Sequence, residues 1–318
     1  LSSFSHIIDQ FEFRKNLVLK ELEADNIPFE FDAIVGRGGL LKPIPGGVYE
    51  VNDAMLDDIL HAMRTHACNL GCLIASELAA LLPGCRAFIA DPGVVDELDE
   101  IARITGSPLM PRITIWHALN QRAIARRYAR EHGLHYEDLN LIVCHLGGGI
   151  TVAAHRQGRA VDVNNGLDGE GPMSSERAGT LPTGELINLC FSGRFTREEL
   201  LRRVSGHAGL VAYLGTTDMK EILARIEAGD EQARLVVDAM IFQIAKAIGA
   251  EATVLYGKVD AILITGGMAY APYITQRIRE RVRFIAPVAV FPGQDEMQAL
   301  AINALGALRG ELEVKTYA

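Results

Sequence analysis

Arg37, Asp91, His117, His145 and Arg177 are the side chains of this sequence best suited to chemistry, and the pattern around them places each at a strand end, beside a glycine turn or in a polar loop. Gly266-Gly267 and the acidic pair Asp295-Glu296 fall at similar positions. Each has an ordinary alternative. Arg37 can be a surface arginine, and Asp91 before Pro92 can simply begin a turn. His117 can be a satisfied, half-buried histidine, and Arg177 can be solvated. Their recurrence at such positions in one chain favours a shared site. Two arginines, two histidines and acidic groups suit in-line phosphoryl transfer. Cations neutralise the transferring group, carboxylates hold Mg²⁺, and neutral donors fill in.

The element that positions His145 is the clearest in the chain. A β-prone run, Leu141 to Cys144, leads into His145-Leu146-Gly147-Gly148-Gly149, and a second apolar run, Ile150 to Ala154, returns at once. The polar turn Arg156-Gln157-Gly158-Arg159 precedes a third strand, Ala160 to Val163. This pattern predicts an antiparallel meander. Its glycine turn lets backbone N–H groups approach a ligand closely and can hold a phosphate. No Gly-Lys-Ser/Thr follows and the next element is a strand, so it is neither a P-loop nor a Rossmann turn. A tight hairpin with no ligand is the alternative.

Around the meander, strands and helices alternate. A helix from Ile7 to about Asp25 precedes the strand Ala33-Ile34-Val35, which ends in Gly36-Arg37-Gly38-Gly39. After a strand at Val48 to Val51, Asn52 or Asp53 can cap a helix with Met55, Ile59, Leu60 and Met63 on one face. A helix from Leu70 to Leu82 ends at Pro83-Gly84, and a strand, Ala87 to Ala90, ends at Asp91-Pro92-Gly93. A helix from about Trp116 to His132 comes before the meander. The irregular stretch Asn164 to Gly184 is too long for an ordinary connection and suggests a functional loop. Three helices follow: Leu186 to Cys190, Thr196 to Val204 with a Thr196/Glu199 capping box, and Asp218 to Glu227. The helix Glu231 to Tyr256 has few charges in its middle and is expected to be largely buried. Strands Val259 to Ile264 and Val288 to Phe291 and a last helix, Asp295 to Leu308, complete the pattern. Open α/β sheets hold ligands at such strand ends.

The 318 residues are enough for two domains. A 49% hydrophobic, 22% charged composition is that of a globular chain, and the net charge of −9 argues against nucleic acid as main partner. The cysteines Cys68, Cys72, Cys85, Cys144 and Cys190 are scattered, with no second pair to match Cys68 and Cys72, which argues against zinc and for free thiols in the cytoplasm. No apolar run approaches a membrane span.

The strings GRGGLL from Gly36, HACNLG from His66, IWHALNQ from Ile115, HLGGG from His145, DVNN from Asp162 and TGG from Thr265 resemble the acetokinase family, and the likeness covers the whole chain. CFSG from Cys190 and GLVAYLGT from Gly209 look like its butyrate-type branch; acetate kinases look different there. Where acetate kinases read His-Gly-Gly, this chain reads Arg37-Gly38-Gly39, which also fits a butyrate-type site.

The resemblance implies the actin-like ATPase architecture: two RNase-H-like α/β domains with a nucleotide cleft between them. Residues 1–92 and 295–318 would form the first domain and residues 93–294 the second. Arg37, Asp91, His117, His145 and Arg177 would line the cleft. Arg37 and Arg177 would flank the acyl carboxylate and the transferring phosphoryl, and His117 would stabilise its equatorial oxygens. Asp91 would orient the nucleophile or Mg²⁺, with Glu296, less directly Asp295, supporting the metal. His66 and Asn69 would bind the acid. His145 with Gly147, Gly148 and Gly149 would form a phosphate loop, and Gly266, Gly267 and Met268 would meet the adenosine.

ATP/ADP and Mg²⁺ are the implied cofactors, and a short-chain fatty acid the implied substrate. A cytoplasmic homo-oligomer without nucleic-acid or membrane partners is expected. Rival readings are an acetate, propionate or branched-chain acid kinase and a non-catalytic nucleotide-binding fragment. The latter arises because the family opens with a strand and an Asn-Pro-Gly-Ser-Thr-Ser phosphate loop, whereas this chain opens at Leu1 and enters a helix. On that ground the strand at Ala33 is expected to be an edge, the first domain poorly stable, and the 318-residue chain alone weakly active or inactive.

Overall fold

The computed structural model describes Phe4 and residues 6–62 and 66–318; Leu1 and Met63 lie outside the described residues. Along the chain come α1 (Phe11–Ala24), β1 (Ala33–Gly36), β2 (Val48–Glu50), α2 (Asp53–Leu60), α3 (Asn69–Ala80) and β3 (Arg86–Ala90). Next are α4 (Glu100–Arg103), α5 (Ala118–Glu131), β4 (Asn140–Leu146), β5 (Ile150–Arg156) and β6 (Arg159–Val163). Then come α6 (Thr183–Cys190), α7 (Arg197–Val204), α8 (Leu210–Leu214), α9 (Met219–Glu227) and α10 (Glu231–Val254). The chain ends with β7 (Ala261–Gly266), α11 (Pro272–Val282), β8 (Val288–Pro292), α12 (Glu296–Leu308) and β9 (Val314–Lys315). Two compact units result: Leu1–Asp96 with Asp295–Ala318, and Glu97–Gln294. Glu97 rather than Gly93 opens the second unit, because Val94 packs in the first unit's core and Val95 bridges Ile44.

In the first unit four strands form a sheet in the order β1-β3-β2-β9. β1 runs parallel to β3, with Gly36 opposite Ile89. Arg37 and Asp91 therefore leave neighbouring parallel strands at the same carboxyl end, where α/β sheets hold ligands. β1 is an edge strand, and its residues are half-buried. Asn52 caps α2, its Oδ1 accepting from Met55 N at 3.0 Å; Met55 and Ile59 enter the core, whereas Leu60 is exposed.

The first helix departs from its expected form. A 3₁₀ turn, Ile8–Gln10, precedes α1, and no α1 residue is buried. At 100° per residue, Phe13 and Leu17 point away from Phe11 and Leu22, so no single apolar stripe exists to bury.

In the second unit the meander is present: β4, β5 and β6 pair antiparallel in a sheet ordered β6-β5-β4-β7-β8, and β7 pairs parallel with β4 and β8. Side chains alternate between faces along a strand. Ile142, Cys144, Leu146, Ile150, Val152 and Ala154 accordingly join the core under α10. Leu141 and Val143 pack on the other face with Ile124, Ala125 and Ala129 of α5. The same alternation puts His145, Thr151 and His155 on the α5 face, each without exposed surface. On α5 the spacing His117, Asn120, Gln121, Ile124 follows the helical repeat and turns the polar residues toward them.

The long helix α10 is capped by Asp230, whose Oδ1 accepts from Ala233 N at 2.9 Å. It buries one stripe, including Val237, Met240, Ile241, Ile244 and Ile248, while Leu235 and Phe242 are exposed. A low charge density thus overstated its burial. The capping box of α7 is formed in both directions. The short elements α4, α8 and β9 carry no periodic pattern in the sequence. β9 exists because Val314 and Lys315 pair with β2, and nearby Tyr317 donates its hydroxyl to Asp58 at 2.6 Å.

Candidate active site

The first unit gathers its expected residues around the ends of β1 and β3. Arg37 follows β1 directly, and its Nη1 lies 3.2 Å from Oε2 of Glu296, the first residue of α12. The loop that carries Arg37 is clamped on α3 by close backbone approach. A Cβ on Gly71 would stand 2.3 Å from the Arg37 carbonyl oxygen, and one on Gly39 would stand 2.7 Å from Asn69 Cα. Glycine is required at both positions for steric reasons. Asn69 is buried, and its Oδ1 accepts from Leu40 N at 2.9 Å, so part of its side chain serves the loop.

His66 is exposed, with Nδ1 accepting from Cys68 N at 3.3 Å and lying 3.0 Å from Cys68 Sγ. Burial raises the Cys68 thiol above its usual range, opposed by the Arg37 charge. Asp91 is buried with φ of 39°, an uncommon conformation for a residue with a side chain. Its Oδ1 accepts from Gly47 N at 2.8 Å. Backbone strain of this kind concentrates at functional sites.

Among the described residues no group of three or more His, Cys, Asp or Glu could hold a metal. A Mg²⁺ ion that keeps its waters and substrate phosphates asks the protein for only one or two carboxylates. Asp91 and Glu296, the two carboxylates expected to serve it, are both in the first unit, where one accepts from Gly47 N and the other faces Arg37.

The second unit assembles a tighter cluster. The His117 and His145 rings stack with centroids 3.8 Å apart and planes 12° apart. His145 Nδ1 lies 2.7 Å from Asn120 Oδ1 and donates to it. His117 Nδ1 lies 2.9 Å from Thr151 Oγ1, and His145 and Thr151 are register partners across β4 and β5. The turn Gly147 to Gly149 closes this hairpin, with Gly147 N donating to Gly149 O at 3.1 Å.

Arg177 comes from the long polar loop and lies against that turn. A Cβ on Gly149 would fall 2.4 Å from Arg177 Nη1. Nη1 donates to Gly166 O, and Nε is buried without a partner. Burial lowers the guanidinium below its usual range, partly offset by Glu176 and Asp168. Ser174 ties the loop down by donating to Gly148 O and accepting from Arg177 N.

Gly266, with φ of 96°, ends β7 beside the hairpin, and a Cβ there would stand 2.3 Å from Leu146 O. Gly267 is exposed, with open space at its Cβ, and Met268 is buried in the core. The histidine pair, the glycine turn, Arg177 and Gly266 therefore belong to one end of one sheet.

Sequence reasoning passed over Asn120, Gln121, Thr151, His155, Tyr136 and Ser174. Two signals could have exposed most of them. Asn120 and Gln121 lie three and four residues past His117, on one helical face. Thr151 and His155 alternate with the apolar residues of β5, so they had to share a buried face.

Residues 114–286 match the family model described as the Acetokinase family. The chain is 68% identical over 317 residues to a probable butyrate kinase of Bacteroides thetaiotaomicron, covering 100% of this chain and 90% of that relative. It is 50% identical over 319 residues to butyrate kinase 2 of Clostridium acetobutylicum, covering 100% and 89%. A solved propionate kinase of Francisella tularensis superposes with a TM-score of 0.75 at 17% identity, covering 90% of this chain and 82% of that one. The Porphyromonas gingivalis acetate kinase gives 0.73 at 22% identity, covering 87% and 77%. These two structures share the mixed α/β fold of this chain.

Proposed function

The chain belongs to the acetokinase family, and on that premise we propose that it transfers the γ-phosphoryl group of ATP reversibly to the carboxylate of a short-chain fatty acid, butanoate above all. The products are an acyl phosphate and ADP. One carboxylate oxygen forms a bond to the γ-phosphorus, and the bond from that phosphorus to the β,γ-bridging oxygen breaks, leaving ADP. Carboxylic acids of this kind are ionised at neutral pH, so the nucleophile needs no strong general base. Catalysis then rests on positioning and on neutralising charge.

The observation that carries this reading is the second unit's cluster: two stacked histidines, Arg177 and a glycine turn at the carboxyl end of parallel strands. In this reading Arg177 and His117 meet the equatorial oxygens of the transferring group. Arg177 counts for more because its guanidinium is partly withdrawn from water. His145 and Gly147 to Gly149 hold a nucleotide phosphate, and Gly266, Gly267 and Met268 lie toward the nucleoside. From the first unit, Arg37, His66 and Asn69 serve the acid. Asp91 and Glu296 would hold Mg²⁺, which when bound supplies charge neutralisation at the phosphates. We place the chain in the cytoplasm; the cysteines, all free, support that location.

Acid specificity is tested by kcat/KM for acetate, butanoate and isobutanoate with saturating ATP. Butanoate is expected to lead. A methylene is worth about 1–3 kcal/mol in a fitted pocket, so a clear acetate preference would move the chain to the acetate-type branch.

A further inference from the structure

Behind His117 a line of buried polar groups runs through the α5 face of the second unit. Gln121 Nε2 lies 3.1 Å from Thr151 O and 2.8 Å from Thr151 Oγ1. Gln121 Oε1 lies 3.1 Å from His155 Nε2, and His155 Nδ1 lies 2.6 Å from the Tyr136 hydroxyl. Thr151 Oγ1 in turn lies 2.9 Å from His117 Nδ1. Gln121, Thr151 and His155 have no exposed surface, and Tyr136 has little.

The direction of every proton in this line can be worked out. A carbonyl oxygen only accepts, so the Gln121 atom facing Thr151 O is the amide nitrogen. Gln121 Oε1 therefore faces His155, whose Nε2 must carry a hydrogen. Burial, with Arg122 and Arg126 nearby, pushes His155 down to about 3, so this ring is neutral and its Nδ1 accepts from Tyr136. Thr151 Oγ1 accepts from Gln121, and among the described residues its own hydrogen finds its acceptor in His117 Nδ1. The reverse arrangement, with His117 donating, would leave a buried hydroxyl hydrogen unmatched, a costly outcome. His117 Nδ1 is thus the accepting nitrogen.

We propose that the line Tyr136–His155–Gln121–Thr151 holds His117 in the tautomer with its proton on Nε2, which makes Thr151 and Gln121 positioning residues of the phosphoryl transfer. The proposal rests on the reading of His117 given above. Its chemical content is that a ring fixed this way offers an N–H to a phosphoryl oxygen. The other tautomer would offer a lone pair, and a lone pair repels that oxygen. The relay also reaches from the site to the far end of β5, where the β5–β6 register shifts between Ala154 and His155.

The test combines ¹⁵N histidine NMR of the full chain with kinetics. His117 resonances are assigned by their loss in His117→Asn. In the unsubstituted protein Nδ1 is expected as the unprotonated nitrogen. Thr151→Val keeps the shape and removes the hydroxyl that donates to His117 Nδ1; Gln121→Met removes the amide that sets the direction of that hydroxyl. Both are expected to admit the Nδ1–H tautomer and to lower kcat by roughly 10- to 100-fold, with KM values held within about twofold. Thr151→Ser is expected to restore both readouts, and the Gln121 variant stands in if the valine variant fails to fold. An unchanged His117 pattern in both variants overturns the relay, whatever happens to kcat. A shifted pattern with normal kcat overturns the positioning role. Turnover of His117→Asn then shows whether the reading of His117 itself has failed.

Discussion

His117, from the residue before α5, and His145, from the end of β4, hold their rings in a face-to-face stack 3.8 Å between centroids. Two different elements therefore fix one feature of the site, and small shifts in either should be felt. Gly147 is the sensitive point, since a Cβ there would lie 2.8 Å from Nε2 of the buried His145. Gly147→Ala is expected to push the ring off its stack and lower kcat by about tenfold or more, with far-UV circular dichroism unchanged. Normal turnover would show that the stack is dispensable.

Arg177→Ala is expected to reduce kcat by roughly 10²-fold or more, with a smaller change in KM. The sequence suggests that a loop arginine can be removed without cost to the fold. The buried Nε and the bond from Nη1 to Gly166 O argue otherwise. Loss of that hydrogen bond should cost about 1 kcal/mol, visible as a lowered Tm. Turnover near normal at saturating substrates would make Arg177 a purely structural residue.

How much was legible beforehand depended on the type of signal. The strands around His145 were readable because apolar runs, glycines and a polar turn follow one another with no competing helical pattern. Arg37 and Asp91 were readable as strand-end residues, and parallel pairing of β1 and β3 puts them at the same end of neighbouring strands. The residues behind His117 carried signals one by one, but their joining was not readable, because Thr151 and His155 come from β5 whereas Gln121 comes from α5. Only pairing of the hairpin under α5 joins them. Asn69 also holds Leu40 N with its Oδ1, a contact across the chain that spacing does not reveal.

Glu296→Gln is expected to raise the Mg²⁺ concentration needed for half-maximal rate several-fold. The substitution removes a negative charge while keeping the side chain's size. Glu296 also faces Arg37 at 3.2 Å, so the KM for the acid should change with it. An unchanged Mg²⁺ titration would remove Glu296 from the metal site.

Glu251 gives the fold a pH dependence of definite sign. It lies buried on α10, with Oε2 unpartnered. Burial and, less strongly, Asp162 push its carboxyl up to about 8 from an ordinary 4.5. Between these values the folded protein keeps a proton that the unfolded chain has released. Its contribution to stability therefore falls as pH rises through that window and is flat above about 8. A tenfold change in proton affinity corresponds to about 1.4 kcal/mol, so the stability change across the window is of the order of a few kcal/mol. Glu251→Gln is expected to remove this slope and to be the more stable form above pH 8. Denaturant melts of both proteins across that range check it; parallel stability curves would mean that Glu251 is ionised in the folded state throughout.

The most direct measurement supplies the chain with ATP, Mg²⁺ and butanoate and traps any acyl phosphate with hydroxylamine, while ADP is quantified in the same samples. The expected result is butanoyl hydroxamate formed in step with ADP, even at the low rate that the sequence suggests for this chain, dependent on all three components and suppressed in Arg177→Ala. ADP release without hydroxamate, or neither product from correctly folded protein, would contradict phosphoryl transfer to a carboxylate.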